Sequence, residues 1–250
     1  MESQNSRDAW DVEIEQWIYD IVVDPKFYGN GIGRLLLEKA EEFSSKLNRN
    51  LGLFVHEDNS PAIALYQKTG YAVKQVPVSK ILKAYSEDVP LGDDFIVREM
   101  EDDEYDTIVG LEFNQFKKKV EFSIDADLEI ERKLHHEHLE NYFNDEEKHQ
   151  RFVALTRDKE IVGTIWVGSS GFNKLIAKIH EVTVNLDDLH DRIGDFLVNS
   201  VEKWARKEKF TGIYILLHST EPLETDFFKE RGYKVPGFFM EKRLKSAEKY

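Results

Sequence analysis

Residues 21–34 hold the feature that most restricts how this chain folds. Ile21, Val22 and Val23 end at Asp24-Pro25, and the chain then passes through Gly29, Gly31 and Gly33 straight into an apolar-periodic segment. Proline cannot donate to a ladder and pushes its predecessor out of helix, so a strand must stop there. Upstream, Val12 to Val23 suits one long strand, with Ile14, Ile18 and Val22 on one face and Trp17, Tyr19, Ile21 and Val23 on the other. Downstream, Leu36, Ala40, Phe43 and Leu47 recur at helical spacing and predict a single buried stripe. A helix opening directly out of such a turn has free backbone N–H groups and the positive end of its dipole. Glycines let that backbone approach an anion, each formal charge gaining about 0.3–1 kcal/mol. A plain strand–helix turn also uses glycine, so the triplet alone leaves both readings open.

Leu51 to Val55 reads as the next strand. His56-Glu57-Asp58-Asn59 leads to Ser60, expected as the N-cap, and Pro61, expected in the first turn of a helix over Ala62 to Thr69 that Gly70 closes. Val73 to Ile81 predicts a strand that Pro77 interrupts or confines to an edge. Lys83 to Asp94 is polar, contains Pro90 and Gly92, and reads as a linker between a partial domain at 1–82 and a fuller one at 95–250. The second part predicts a strand at Phe95–Arg98, helices at Glu101–Phe116 and Leu128–Phe143, and a hairpin of Phe152–Thr156 with Ile161–Val167. A strand at Ile179–Val184, a helix at Ile193–Lys207, a strand at Ile213–Leu217, a helix at Thr225–Arg231 and a strand at Phe238–Arg243 follow. The class is α/β (α+β), a mixed sheet flanked by helices.

Composition removes several functions. The 250 residues are 41% hydrophobic and 12% aromatic, enough for a real core. A net charge of −14 argues against nucleic acid as the main partner and suits a basic or amine-bearing one. The absence of cysteine excludes disulfides, thiolate metal sites and thiol nucleophiles. No apolar run approaches a membrane helix, and MESQNSRDAW lacks the apolar core of a signal peptide, so a soluble cytoplasmic protein away from membranes is expected. His135, His136 and His138 lack the four-residue spacing of a helical zinc site, so no metal is expected.

The chain repeats itself. VVDPKFYGNGIGRLLLEKAEEFS, from Val22, lies over TVNLDDLHDRIGDFLVNSVEKWA, from Thr183, with Gly33 on Gly194 at an offset of 161. ALYQKTGY then lies over DFFKERGY, with Gly70 on Gly232 at an offset of 162. In the second copy Gly29 becomes His190, Gly31 becomes Arg192, Asn59 becomes Glu221 and Tyr66 becomes Phe228. The packing stripe survives while the glycines and the hydroxyl do not. The second part also adds a strand–helix–helix–hairpin portion that the first lacks.

VDPKFYGNGIGRLLL followed by HEDNSPAIALYQKTGY resembles the cofactor-binding core of the Gcn5-related N-acetyltransferases (GNAT). The first motif falls on Tyr28, Gly29, Asn30, Gly31, Ile32 and Gly33, and the second on Asn59, Ala62, Tyr66, Gly70 and Tyr71. The resemblance implies two GNAT units in tandem, the first truncated at its N-terminal side and the second degenerate. It implies acetyl-CoA as donor, with the amides of Tyr28 to Arg34 on its pyrophosphate, Ile21, Val22 and Val23 pairing with the pantetheine, and Asn59 contacting that arm. It implies Tyr66 as general acid for the departing thiolate, after direct attack by a primary amine on a small molecule or peptide. The alternative is an inactive protein of the same fold that binds CoA or a protein partner. Tyr28 stands where the family usually has Gln or Arg. Trp17 stands where many relatives carry a glutamate base, so Glu15, one step outward on that strand face, becomes the candidate, with His56 and Glu57 as others. The first unit begins at about the family's fourth strand, and its open edge calls for a cover such as the second half or a homodimer.

Overall fold

The computed structural model describes residues 16–47, 49–83, 95–120, 149–170, 173–184, 192–218 and 222–244. In chain order these form β1 (Gln16–Ile18), α1 (Ile32–Lys46), β2 (Leu51–His56), α2 (Ser60–Lys68), β3 (Ala72–Ile81), β4 (Phe95–Glu99) and α3 (Tyr105–Val120). Then come β5 (His149–Thr156), β6 (Ile161–Ser170), β7 (Asn173–Val184), α4 (Arg192–Lys207), β8 (Gly212–His218), α5 (Pro222–Glu230) and β9 (Gly237–Lys242). The class is the mixed α/β one expected from sequence. The expected helix at Leu128–Phe143 and the three histidines lie outside the described residues, as do Glu15 and 84–94 of the expected linker.

The described residues form two compact units that are not contiguous in sequence. One joins 16–78 with 216–244 and holds the glycine turn; the other runs from 79 to 215. In the glycine-turn unit β1 pairs parallel with β2, and β9 lies antiparallel between β2 and β3. The last of the described strands is therefore an interior strand, between β2 and β3. Gly237 makes its start possible, because a Cβ there would meet the Val55 carbonyl oxygen at 2.2 Å and Phe54 Cζ at 2.6 Å. The core comprises Leu37, Leu51, Leu53, Val55, Tyr71 and Met240, with Ile18, Ile21, Ala40, Leu65 and Tyr66 packed on it.

In the other unit β4, β5, β6 and β7 form an antiparallel series, and β8 joins β7 in parallel. Ser79–Ile81 belongs here: Leu82 N–H donates to the Thr211 carbonyl at 2.9 Å, and Lys80 O approaches Gly212. Helix α4 lies over β4, β5 and β6, with Ile193 and Leu197 against Gly163. Ile108 of α3 packs with Val153 and Leu155.

The second copy of the repeat thus supplies β9 to the glycine-turn unit, the end of β3 from the first copy lies in the other unit, and a matching ion pair marks each place. Lys242 of β9 meets Glu41 of α1 at 2.6 Å; Lys80 of β3 meets Glu202 of α4 at 2.7 Å. Glu202 stands 161 residues after Glu41, and Lys242 stands 162 after Lys80, the two offsets of the repeat. The second pair is extended by Arg206, which bonds Glu202 at 2.9 Å and donates from Nε to the Lys83 carbonyl at 3.0 Å.

Four local expectations change. The strand expected to reach Val23 leaves the ladder after Ile18. Ile18 and Ile21 both touch the core although they stand three apart, so the alternation is broken between them. The helix stripe is shifted: α1 buries Leu37 and Ser44, whereas Leu36, Phe43 and Leu47 are 43%, 61% and 46% exposed. The N-cap of α2 is Asn59 rather than Ser60, its Oδ1 accepting from Ala62 N–H at 3.3 Å. β3 runs unbroken through Pro77, two residues beyond the end of its pairing with β9 at Gln75, so the missing N–H is not lost from that ladder.

Candidate functional site

Asp24 accepts from Lys26 N–H at 3.0 Å and caps a one-turn 3-10 helix, Pro25–Phe27. The Lys26 ammonium, 2.8 Å away, holds the Asp24 carboxyl below its ordinary range. Tyr28 closes that turn and is well exposed. Gly29 and Gly31 follow at φ +80° and +76°, the left-handed region that side-chain-bearing residues rarely adopt. A Cβ on either would meet nothing within 4 Å. The backbone at this turn faces open space, with Asn30 between the two glycines.

Gly31 is the N-cap of α1, and no side chain caps it. The N–H groups of Ile32, Gly33 and Arg34 therefore point out of the first turn without intrahelical acceptors. Arg34 spends its guanidinium on Glu38, 3.0 Å away, so its backbone is what it offers an anion. Gly33 has a different use: a Cβ there would stand 3.3 Å from Leu65 Cδ2. Its lack of a side chain seats α1 against α2, next to Tyr66.

Ile21, Val22 and Val23 follow the end of β1 outside any ladder, with Val22 80% exposed. An extended segment with unpaired backbone groups can take an added strand. Ile21 and Tyr66 pack on the same core, which brings this segment and α2 to one place. Tyr66 is half-buried, its ring 5.9 Å from that of Tyr71, and burial raises its phenol above the ordinary range. It stays protonated at neutral pH and can donate. Tyr71 is pushed further up by burial and by the Glu41 carboxylate, and its hydroxyl is enclosed.

Asn59 is exposed but commits its side-chain oxygen to the α2 cap, leaving its amide N–H2 for any ligand. Asn59→Ala should cost about 1 kcal/mol in urea unfolding through the lost cap. A change near zero would mean that the cap carries no stability. His56 packs edge-on against Phe54, with ring centroids 5.2 Å apart. Sequence reasoning passed over Asp20, an exposed carboxylate directly before Ile21; its place in the break after β1 was the available signal. Among the described residues no group of His, Cys, Asp or Glu could hold a metal, and no helix is long and apolar enough to cross a membrane.

Residues 7–71 match the acetyltransferase (GNAT) family model, spanning the turn and the α2 motif. An uncharacterized N-acetyltransferase of Methanocaldococcus jannaschii is 42% identical over 60 residues. Over this stretch the chain is similar to the GNAT family. The matched stretch covers 24% of this chain and 26% of that relative, so the chain spans about a quarter of its length. Solved GNAT structures align over both copies of the repeat. A tandem GNAT protein from the clavulanic acid biosynthesis pathway has a TM-score of 0.54 at 14% identity, over 93% of this chain and 76% of its own. A GCN5-related N-acetyltransferase from Sphaerobacter thermophilus has 0.53 at 16%, over 92% and 73%. These likenesses are of fold.

Proposed function

We propose that the protein is an acetyl-CoA-dependent N-acetyltransferase whose donor site is the glycine-turn unit. The observation that carries this reading is the uncapped start of α1 behind two left-handed glycines that face open space. That cradle fits a pyrophosphate on the amides from Tyr28 to Arg34. Ile21 to Val23 would pair with the pantetheine, and the Asn59 amide would contact that arm. Acetyl-CoA supplies the thioester.

The chain's own task is then to position the thioester, to receive a neutral primary amine of a small molecule or peptide, and to stabilise the leaving sulfur. Tyr66 does the last. A thiol near pKa 8.5 and a phenol at or above 10 make complete proton transfer uphill, so Tyr66 acts through a donated hydrogen bond as charge grows on sulfur. Asp20 and Glu15 are the carboxylates for the amine's proton. The same reading takes 1–82 and 95–250, joined by 83–94, as copies of one duplicated unit, in a cytoplasmic protein. It includes a homodimer that covers the open edge of β1.

Saturating acetyl-CoA should stabilise the protein by about 2.7 kcal/mol at a hundredfold excess over Kd, read as a rise in melting temperature. Gly31→Val should lose that rise and cost the apo protein roughly 1–2 kcal/mol, because valine is strained at positive φ. No shift with the unaltered protein overturns the donor site. A thiol-release screen across amines then tests turnover and finds the acceptor.

A further inference from the structure

Helix α1 gives the core only one edge of its apolar arc. Leu37 is fully buried, while Leu36, Phe43 and Leu47 form an exposed line along the helix. The duplicated helix α4 shows what such positions require. Leu197, Val201 and Trp204 stand where Leu36, Ala40 and Phe43 stand in α1, and all three are buried. What lies beneath α4 is the sheet that continues past β7, with Leu197 against β6. In the glycine-turn unit, β1 corresponds to β7 and is the outermost strand; among the described residues it pairs with β2 alone. Among the described residues a strand edge and a helix face therefore lack cover on the same side.

We propose that a second copy of this chain supplies the cover, through an isologous interface made by β1 and α1. It deepens the dimer part of the reading above and does not depend on the transferase part. The twofold axis runs perpendicular to the sheet. β1 pairs antiparallel with its counterpart, and the two α1 helices lie side by side, reversed, on the same face.

The choice of a second copy follows from the stripe, which is complementary to itself under that operation. With the helices reversed about a point between residues 41 and 42, Leu36 meets Leu47 of the other copy. Phe43 meets Ala40, large against small, so ridges can interlock. An unrelated partner would give no reason for this symmetry about one point.

Sedimentation of the full chain should show a dimer, and Phe43→Glu should weaken it by roughly 30-fold or more, the scale of a central hot spot. The protein has no cysteine, so a variant carrying both Leu36→Cys and Leu47→Cys should cross-link between copies on mild oxidation. The single substitutions should not, because only Leu36 of one helix and Leu47 of the other come together. A monomeric unaltered protein, an assembly larger than a dimer, a Phe43→Glu dimer of full strength, or a double-cysteine variant that fails to cross-link each overturns the interface. Retention of the acetyl-CoA thermal shift by Phe43→Glu keeps the outcome separate from the donor site. If that variant misfolds, the cross-link decides.

Discussion

Tyr66→Phe is expected to lower turnover by about 10²–10⁴-fold while leaving acetyl-CoA binding and stability unchanged. The ring stays in place: it packs on the core with Leu37, Leu53 and Tyr71, and phenylalanine fills the same volume. On the proposed mechanism, only the donated hydrogen bond to the leaving sulfur disappears. The pH dependence sharpens the test. A proton donor fails as pH rises through its pKa, and burial raises that of Tyr66. The loss assigned to this residue therefore lies above the ordinary phenol range, with no Tyr66-linked decline between about pH 7 and 9. Steady-state turnover of Tyr66→Phe equal to that of the unaltered enzyme removes the residue from the mechanism. A decline in turnover within that window moves the acid role to another group.

The largest stability effect is expected at Glu202. Its side chain is 6% exposed and serves Lys80 at 2.7 Å and Arg206 at 2.9 Å. Glu202→Ala removes the carboxylate that the two cations share, and breaking a buried pair in this way costs about 3–5 kcal/mol. Glu41→Ala removes the matching contact in the other unit. There Lys242 and Glu41 are 25% and 16% exposed, so water replaces part of the loss and the expected cost is about 1–3 kcal/mol. Urea unfolding of both variants measures the difference. Equal costs mean that burial does not set the strength of these contacts. No cost at Glu202 means that the pair does not hold Ser79–Ile81 to α4.

Much of this was legible in the sequence because it is local. The break at Asp24-Pro25, the glycine turn, the helix behind it and the Asn59 to Tyr71 segment carry their own chemistry, and the repeat aligns them without reference to structure. Gly29 and Gly31 are where the signal was strongest, since a positive φ at both positions favours glycine. The choice between Asn59 and Ser60 as cap was not legible, because both are good caps and one residue decides the register. The buried edge of α1 was hidden for a related reason. Its apolar arc is wider than the surface that covers it, so periodicity marks a face without saying which edge meets the core. The exchange of β3 and β9 left no mark on strand periodicity, which identifies a strand and not its neighbour. Lys80, Lys242, Glu41 and Glu202 did carry that information, at the two offsets of the repeat. It becomes readable only once helix and strand residues are compared across the copies.

The interior position of β9 has a consequence for the order of synthesis. A ribosome releases β1, α1, β2, α2 and β3 first, yet the strand that belongs between β2 and β3 is made only after β4 to β8 and α5. Throughout translation of the intervening chain, the glycine-turn portion carries two unsatisfied strand edges around an apolar gap, a state prone to wrong pairing. Its completion waits for Gly237–Lys242 to emerge, so a nascent chain stalled before Gly237 holds every candidate donor-site residue in a unit that cannot close.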